Sequence, residues 1–159
     1  MSASIRPMRF PIRTKATARL AATVDLPPGT GDVQVSLVQK AKPAGAVIVS
    51  TPQDLALIDA TRAIDLFART DVPVIGIIEN MAGYLCPHCG EESDPFGSGG
   101  AEASAKKLGV PFLGRLPLSA SLREASDAGR PPAAEDGPAG EAFAVLAQAL
   151  LDELEKKPA

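Results

Sequence analysis

Val74-Ile75-Gly76-Ile77-Ile78 runs through Glu79 into Asn80-Met81-Ala82-Gly83-Tyr84-Leu85-Cys86-Pro87-His88-Cys89. The first five residues are apolar without alternation, the pattern of a strand buried on both faces of a parallel sheet. The segment after them holds both cysteines of the chain, with two residues between them. A Cys-x-x-Cys turn brings two thiolates to one side of a tight loop, the bite that tetrahedral zinc or an iron–sulfur cluster requires. Such a site takes four ligands, and the chain has two cysteines and one histidine. His88 sits between the thiols and is read as facing solvent, not as a ligand. The count therefore favours a shared site, with Cys86 and Cys89 of two copies meeting on a two-fold axis. The same spacing also suits a redox disulfide, half of a structural zinc knuckle, or a chance pair of small buried residues. Spacing alone leaves these open.

Working outward, Ala46-Val47-Ile48-Val49-Ser50 and Phe112-Leu113-Gly114-Arg115-Leu116 read as two further strands, one on each side in sequence. Between the first and the central strand, Thr51 suits a helix N-cap, Pro52 the first helical position and Asp54 the positive end of the dipole. Leu57, Ala60, Ile64 and Phe67 form the inner face of that helix, and Asp71-Val72-Pro73 ends it. Beyond the cysteines, Phe96-Gly97-Ser98-Gly99-Gly100 leads into a helix with Ala101, Ala105 and Leu108, closed by Gly109. Upstream, a weak strand at 20–24 is followed by a Pro/Gly turn. Asp32 then caps a helix through about Lys40 with Val33, Leu37 and Val38 inside. A short helix is expected at 122–128, and a last one carries Phe143, Leu146, Ala147, Leu150 and Leu154 on one stripe. This alternation predicts an α/β domain with a parallel sheet and right-handed crossovers. Ligands of such sheets bind beyond the carboxyl ends of the strands. Asp25, Ser50, Thr51, Asn80 and Pro117 all fall at such ends.

Composition excludes several classes. The 159 residues fit one domain, and 45% hydrophobic with 22% charged residues is the balance of a soluble globular protein. There is no apolar run of about 18 residues, so no membrane helix is expected. Absence of tryptophan and 4% aromatics argue against a stacking platform for nucleic acid. Two cysteines are too few for a disulfide scaffold, which points to a reducing compartment, the cytoplasm. Net charge is −3, but residues 1–24 hold five bases and no acid. An Arg-rich, acid-free leader also has the composition of a mitochondrial targeting segment, with the matrix as the alternative compartment. Residues 1–23 are read as a disordered basic leader and 24–157 as the folded part.

Asp25-Leu26-Pro27-Pro28-Gly29-Thr30-Gly31-Asp32 is not a phosphate loop, because it lacks the G-x-x-x-x-G-K-[ST] spacing and its lysine. An acid at a strand end can instead hold a magnesium ion or its water. In order along the chain come this block, Ser50-Thr51-Pro52-Gln53, Glu79-Asn80-Met81, Cys86-Pro87-His88-Cys89, Phe96-Gly97-Ser98-Gly99-Gly100 and Ser126-Asp127-Ala128-Gly129-Arg130-Pro131. Together they resemble the Mrp/ApbC family of iron–sulfur cluster carriers, deviant-Walker P-loop ATPases related to MinD and the nitrogenase iron protein. The resemblance covers roughly residues 24 to 132.

The resemblance implies a three-layer, Rossmann-like P-loop NTPase fold and a [4Fe–4S] cluster bridged by Cys86 and Cys89 across a homodimer. It implies transfer of the cluster to apo-protein acceptors, with ATP and Mg²⁺ bound in the intact family. Asp25 becomes the magnesium-side acid, Gly29 part of the switch that senses the γ-phosphate, Asn80 an adenine contact and Pro117 a residue near the base. The family's lysine-bearing loop has no counterpart in residues 1–23. The sequence thus looks like the C-terminal part of a carrier, and the resemblance extends to ATP hydrolysis only for the intact family. Helices over 33–40 and 54–69 are expected to lack part of their partner surface.

Overall fold

The computed structural model describes residues 23–26, 31–134 and 137–156. Helix α1 (Asp32–Ala41) begins with an acid and carries Lys40 in its last turn, each matched to the helix dipole. Strand β1 (Ala46–Ser50), helix α2 (Asp54–Arg69) and strand β2 (Val74–Glu79) follow, each at the place its sequence pattern predicts. Strands β3 (Tyr84–Leu85) and β4 (Glu92–Ser93) form a small antiparallel hairpin around the cysteines. Helix α3 (Gly100–Leu108), strand β5 (Phe112–Arg115), helix α4 (Ala120–Asp127), a 3₁₀ turn at Pro132–Ala134 and helix α5 (Pro138–Lys156) complete the order.

The main sheet runs β1-β2-β5, all parallel. Ile48, Ile77 and Phe112 lie in register across it, and helices α2 and α3 cover this face. Ala60, Ile64, Phe67, Ala101 and Ala105 pack there with Val38 and Val72. On the opposite face α5 lies over β2 and β5, its buried Leu146 against Gly114. Helix, sheet and helix make the three layers expected of this α/β class.

Gly76 explains how β2 and β5 come together. A Cβ there would stand 2.5 Å from Leu113 Cγ and 2.9 Å from the Pro111 carbonyl oxygen. Glycine lets the strands approach where any side chain would force them apart. Gly100 does the same for α3, whose first turn sits within 2.6 Å of the Pro52 carbonyl from a would-be Cβ.

Several local expectations are corrected. Asp32 is the first helical residue, and the cap position is Gly31. Within α1 the buried side chains among those described are Gln34 and Val38, one turn apart, and the side chain of Val33 lies outside those described. Leu37 instead lines an open surface groove with Asp32, Ser36, Lys40 and Ala41. Thr51 and Pro52 precede α2 without entering it: the chain bends at Pro52 and Gln53, and the helix begins at Asp54 after an extended Gln53. On α5 Ala147 is exposed, since Leu146 at its neighbouring position takes the contact with the sheet. Thr23 and Val24 have no strand structure, and the rest of the 20–24 run lies outside the described residues. On the inner face of helix α2, Ala60, Ile64 and Phe67 are buried and Leu57 is half-buried, while Leu55 and Ile58 of the same helix are 74% and 50% exposed. Val49 of β1 is also bare, at 62% exposed.

Candidate functional site

The carboxyl ends of the three strands are tied into one platform. Asn80 N–H donates to the Ser50 carbonyl at 2.7 Å, joining the end of β2 to the end of β1. Leu116 N–H donates to the Glu79 carbonyl at 2.8 Å, and Ala82 N–H to the Leu116 carbonyl at 3.0 Å, extending the β2–β5 ladder past the sheet. Asn80 Oδ1 accepts from Met81 N–H at 2.9 Å, and Met81 takes a left-handed conformation with φ of 61°. That turn engages one end of the Asn80 amide and leaves its Nδ2 donors for another acceptor.

Pro117 is exposed and lines a cleft of about 430 Å³ with Ala82, Gly83, Tyr84, Glu92, Ser93 and Asp94. Asn80 and Pro117 are thus brought to one side of the sheet, next to the base of the hairpin. Asp25 is exposed, with Leu26 beside it packed on the core. No contact among the described residues joins Asp25 to Asn80 or Pro117. Gly29 lies outside the described residues.

The cysteines sit at the tip of the hairpin. Cys86 N–H donates to the Glu91 carbonyl at 3.0 Å, and Gly90 N–H to the Cys86 carbonyl at 2.9 Å, closing a tight turn around Pro87-His88-Cys89. Both thiols are free, Cys86 half-buried and Cys89 exposed. The Cys86 thiol is held below the ordinary thiol range. The backbone N–H of Cys89 contributes most, followed by the backbone N–H of His88 and the Cys89 side chain. Such N–H donors aimed at sulfur favour thiolate, the form that binds metal. His88 is exposed. Among the described residues no group of three or more His, Cys, Asp or Glu could hold a metal ion by itself.

Glu79 is the residue that sequence reading passed over. Its carboxylate is fully buried, accepting from Gly99 N–H at 2.8 Å and Ala101 N–H at 2.7 Å. It supplies the anion at the start of α3, where the first backbone N–H groups of the helix favour negative charge. Arg115 Nε stands 3.9 Å from it, while the Arg115 guanidinium also pairs with Glu102 and lies over Phe112. The available signal was an acid ending an otherwise apolar strand, since a charge at a buried strand end needs a partner.

A parallel sheet between two helical layers, with turns, a polar cleft and a thiol pair at its carboxyl edge, defines an α/β protein of the three-layer class. The fold is shared with the cell-division ATPase MinD of Pyrococcus furiosus, at a TM-score of 0.51 and 20% identity over 69% of this chain and 43% of that one. Residues 21–151 match the family model described as ParA, NUBPL iron-transfer P-loop NTPase, and the chain belongs to that family. The iron-sulfur cluster carrier protein of Pyrococcus horikoshii is 43% identical over 93% of this chain and 54% of its own length. An Arabidopsis thaliana relative named iron-sulfur protein required for NADH dehydrogenase, mitochondrial, is 54% identical over 68% of this chain and 34% of its own. The nucleotide-binding protein of Archaeoglobus fulgidus, solved in complex with ADP, superposes with a TM-score of 0.62 at 44% identity, covering 74% of this chain and 48% of that one. The chain thus spans about a third to a half of the length of these relatives. Among the described residues no helix is long and apolar enough to cross a membrane.

Proposed function

We propose that this chain carries an iron–sulfur cluster, with Cys86 and Cys89 of two copies supplying four thiolates to one [4Fe–4S] cargo. The observation that carries the reading is the pair of free thiols on one tight turn, two per chain, with no group of three or more metal-ligating side chains among the described residues. The family match and the carrier names of its relatives support the same cargo. Holding the cluster at the hairpin tip leaves it open to an incoming thiolate from an apo-protein acceptor, which exchanges for a cysteine ligand. A lower thiol pKa helps at both ends of this exchange, because thiolate binds iron well and leaves readily.

In the same reading Asn80 contacts adenine through its Nδ2 donors and Pro117 flanks the base, with Gly29 in the switch. Asp25 serves as the magnesium-side acid. The Archaeoglobus relative, solved in complex with ADP, supports a bound nucleotide. In this reading Asn80 and Pro117 form the base side of such a site, while no lysine-bearing glycine loop is present in the sequence. A reducing compartment suits two free thiols, the cytoplasm first. The mitochondrial name of the Arabidopsis relative and the acid-free leader favour the matrix as second reading.

The test is anaerobic reconstitution with ferrous iron and sulfide, followed by sedimentation. The expected outcome is a thiolate-to-iron absorbance band, equal iron and sulfide content, and a shift from monomer to dimer on loading. All three should be lost in a Cys86→Ser, Cys89→Ser double variant. Zinc without sulfide would replace this reading with a structural zinc-bridged dimer, and an air-free monomer without metal would end both.

A further inference from the structure

We propose that Glu79 is a positioning residue for the cysteine pair, clasping the base of the excursion that carries it. Residues 80–99 leave the sheet at the end of β2, build the hairpin and return to the start of α3. The outgoing foot is fixed by backbone bonds: Asn80 N–H to the Ser50 carbonyl, Ala82 N–H to the Leu116 carbonyl, and Leu118 N–H to the Gly83 carbonyl at 2.8 Å. The hairpin itself is held by its own ladder, Tyr84 with Ser93 and Leu85 with Glu92. The Asp94 carbonyl and carboxylate, accepting from Gly97 N–H and Ser98 Oγ–H, keep the return segment compact.

None of those bonds fixes the returning foot to the sheet. Glu79 does so, reaching from the last residue of β2 to Gly99 and Ala101, 20 and 22 residues onward. A fully buried carboxylate with both oxygens on backbone donors has one geometry and little freedom to leave it. The clasp therefore sets the angle at which the hairpin stands on the platform.

That angle matters because the cargo is shared. This step rests on the cluster-carrier reading. On a two-fold axis a tilt of one hairpin is repeated by its twin, so an error in sulfur position enters the four-thiolate cage twice. Ligand sets tolerate only about 0.5 Å of such error before affinity falls.

The experiment compares Glu79→Gln with Leu146→Ala, a core truncation beneath α5 that loosens the fold on the other face of the sheet, away from the excursion. Glutamine keeps the shape and one acceptor but sets an N–H against a backbone N–H. The rate of cluster loss to an iron chelator should rise about 10–100-fold in Glu79→Gln, the usual scale for partners that orient ligands. It should stay near wild type in Leu146→Ala at matched thermal stability. Equal rates in Glu79→Gln and wild type, or equal acceleration in both variants, would overturn the proposal.

A second measurement stands apart from the cargo. Nitroxides on Cys89 and on Ala147→Cys, in a Cys86→Ser background, report the distance from hairpin to α5. The distribution should shift and broaden on Glu79→Gln, and an unchanged distribution would refute the clasp. Failure of the wild type to load any cluster would count against the carrier reading alone, and the nitroxide distances would then decide the clasp.

Discussion

Replacing Glu79 with alanine should cost far more stability than removing its apparent ion-pair partner. The carboxylate is fully buried and satisfies two backbone donors at 2.8 and 2.7 Å at the first turn of α3. Truncation orphans both, at about 1–3 kcal/mol each. It also removes a negative charge from the positive end of a helix, worth up to about 2 kcal/mol in a buried setting. Relief of the desolvation of that charge works the other way, so a net loss of about 3–5 kcal/mol is expected, as for other broken buried charge contacts. Arg115 is different. Its side chain is 46% exposed and its Nε lies 3.9 Å from the carboxylate, beyond hydrogen-bond reach. Such a solvent-screened pair contributes at most about 1 kcal/mol. Urea denaturation followed by circular dichroism measures both Glu79→Ala and Arg115→Gln, with an unchanged m-value licensing the comparison. A loss below about 1 kcal/mol for Glu79→Ala, or an Arg115→Gln loss as large, would refute the reasoning, because the ion pair and not the helix start would then hold the carboxylate.

Gly76→Ala should lower stability by about 1–3 kcal/mol, since the new Cβ meets both Leu113 and the Pro111 carbonyl, and backbone cannot step aside cheaply. A rise in melting temperature would show that the entropy gain of alanine outweighs the contact. Cys86 should react with iodoacetamide at lower pH in the folded chain than in urea, because the N–H groups of Cys89 and His88 that favour its thiolate exist only in the folded turn. The sign for stability follows: a folded thiol with depressed pKa contributes above the unfolded pKa, and that contribution fades as pH falls through the folded one. Peptide mapping of the alkylation rate against pH checks this, and coincident folded and unfolded profiles would contradict it.

Strand positions were legible because β1, β2 and β5 are largely apolar runs, the pattern of parallel strands, although β2 is the most fully buried of them and β1 leaves Val49 exposed. The inner face of α2 was legible for the same reason, through helical spacing. Where the reading failed, the sequence carried two acceptable choices. Leu37 and Gln34 both lie on α1, and apolarity nominated Leu37, yet Gln34 is the buried one. Thr51-Pro52 has the chemistry of a helix start, but the helix begins only at Asp54.

The sequence by itself determined the class of sheet, the order of its elements and the pair of sulfurs, because periodicity and residue type are local quantities. Only the tertiary structure decided that an acid at the end of β2 becomes the cap of α3. That contact joins groups 20 and 22 residues apart, and the alternatives of solvent or an external anion are equally consistent with the local pattern. It was also the folded arrangement that set Asn80 and Pro117 beside the foot of the cysteine hairpin, since β2 and β5 become neighbours only when the crossover through α3 packs against the sheet.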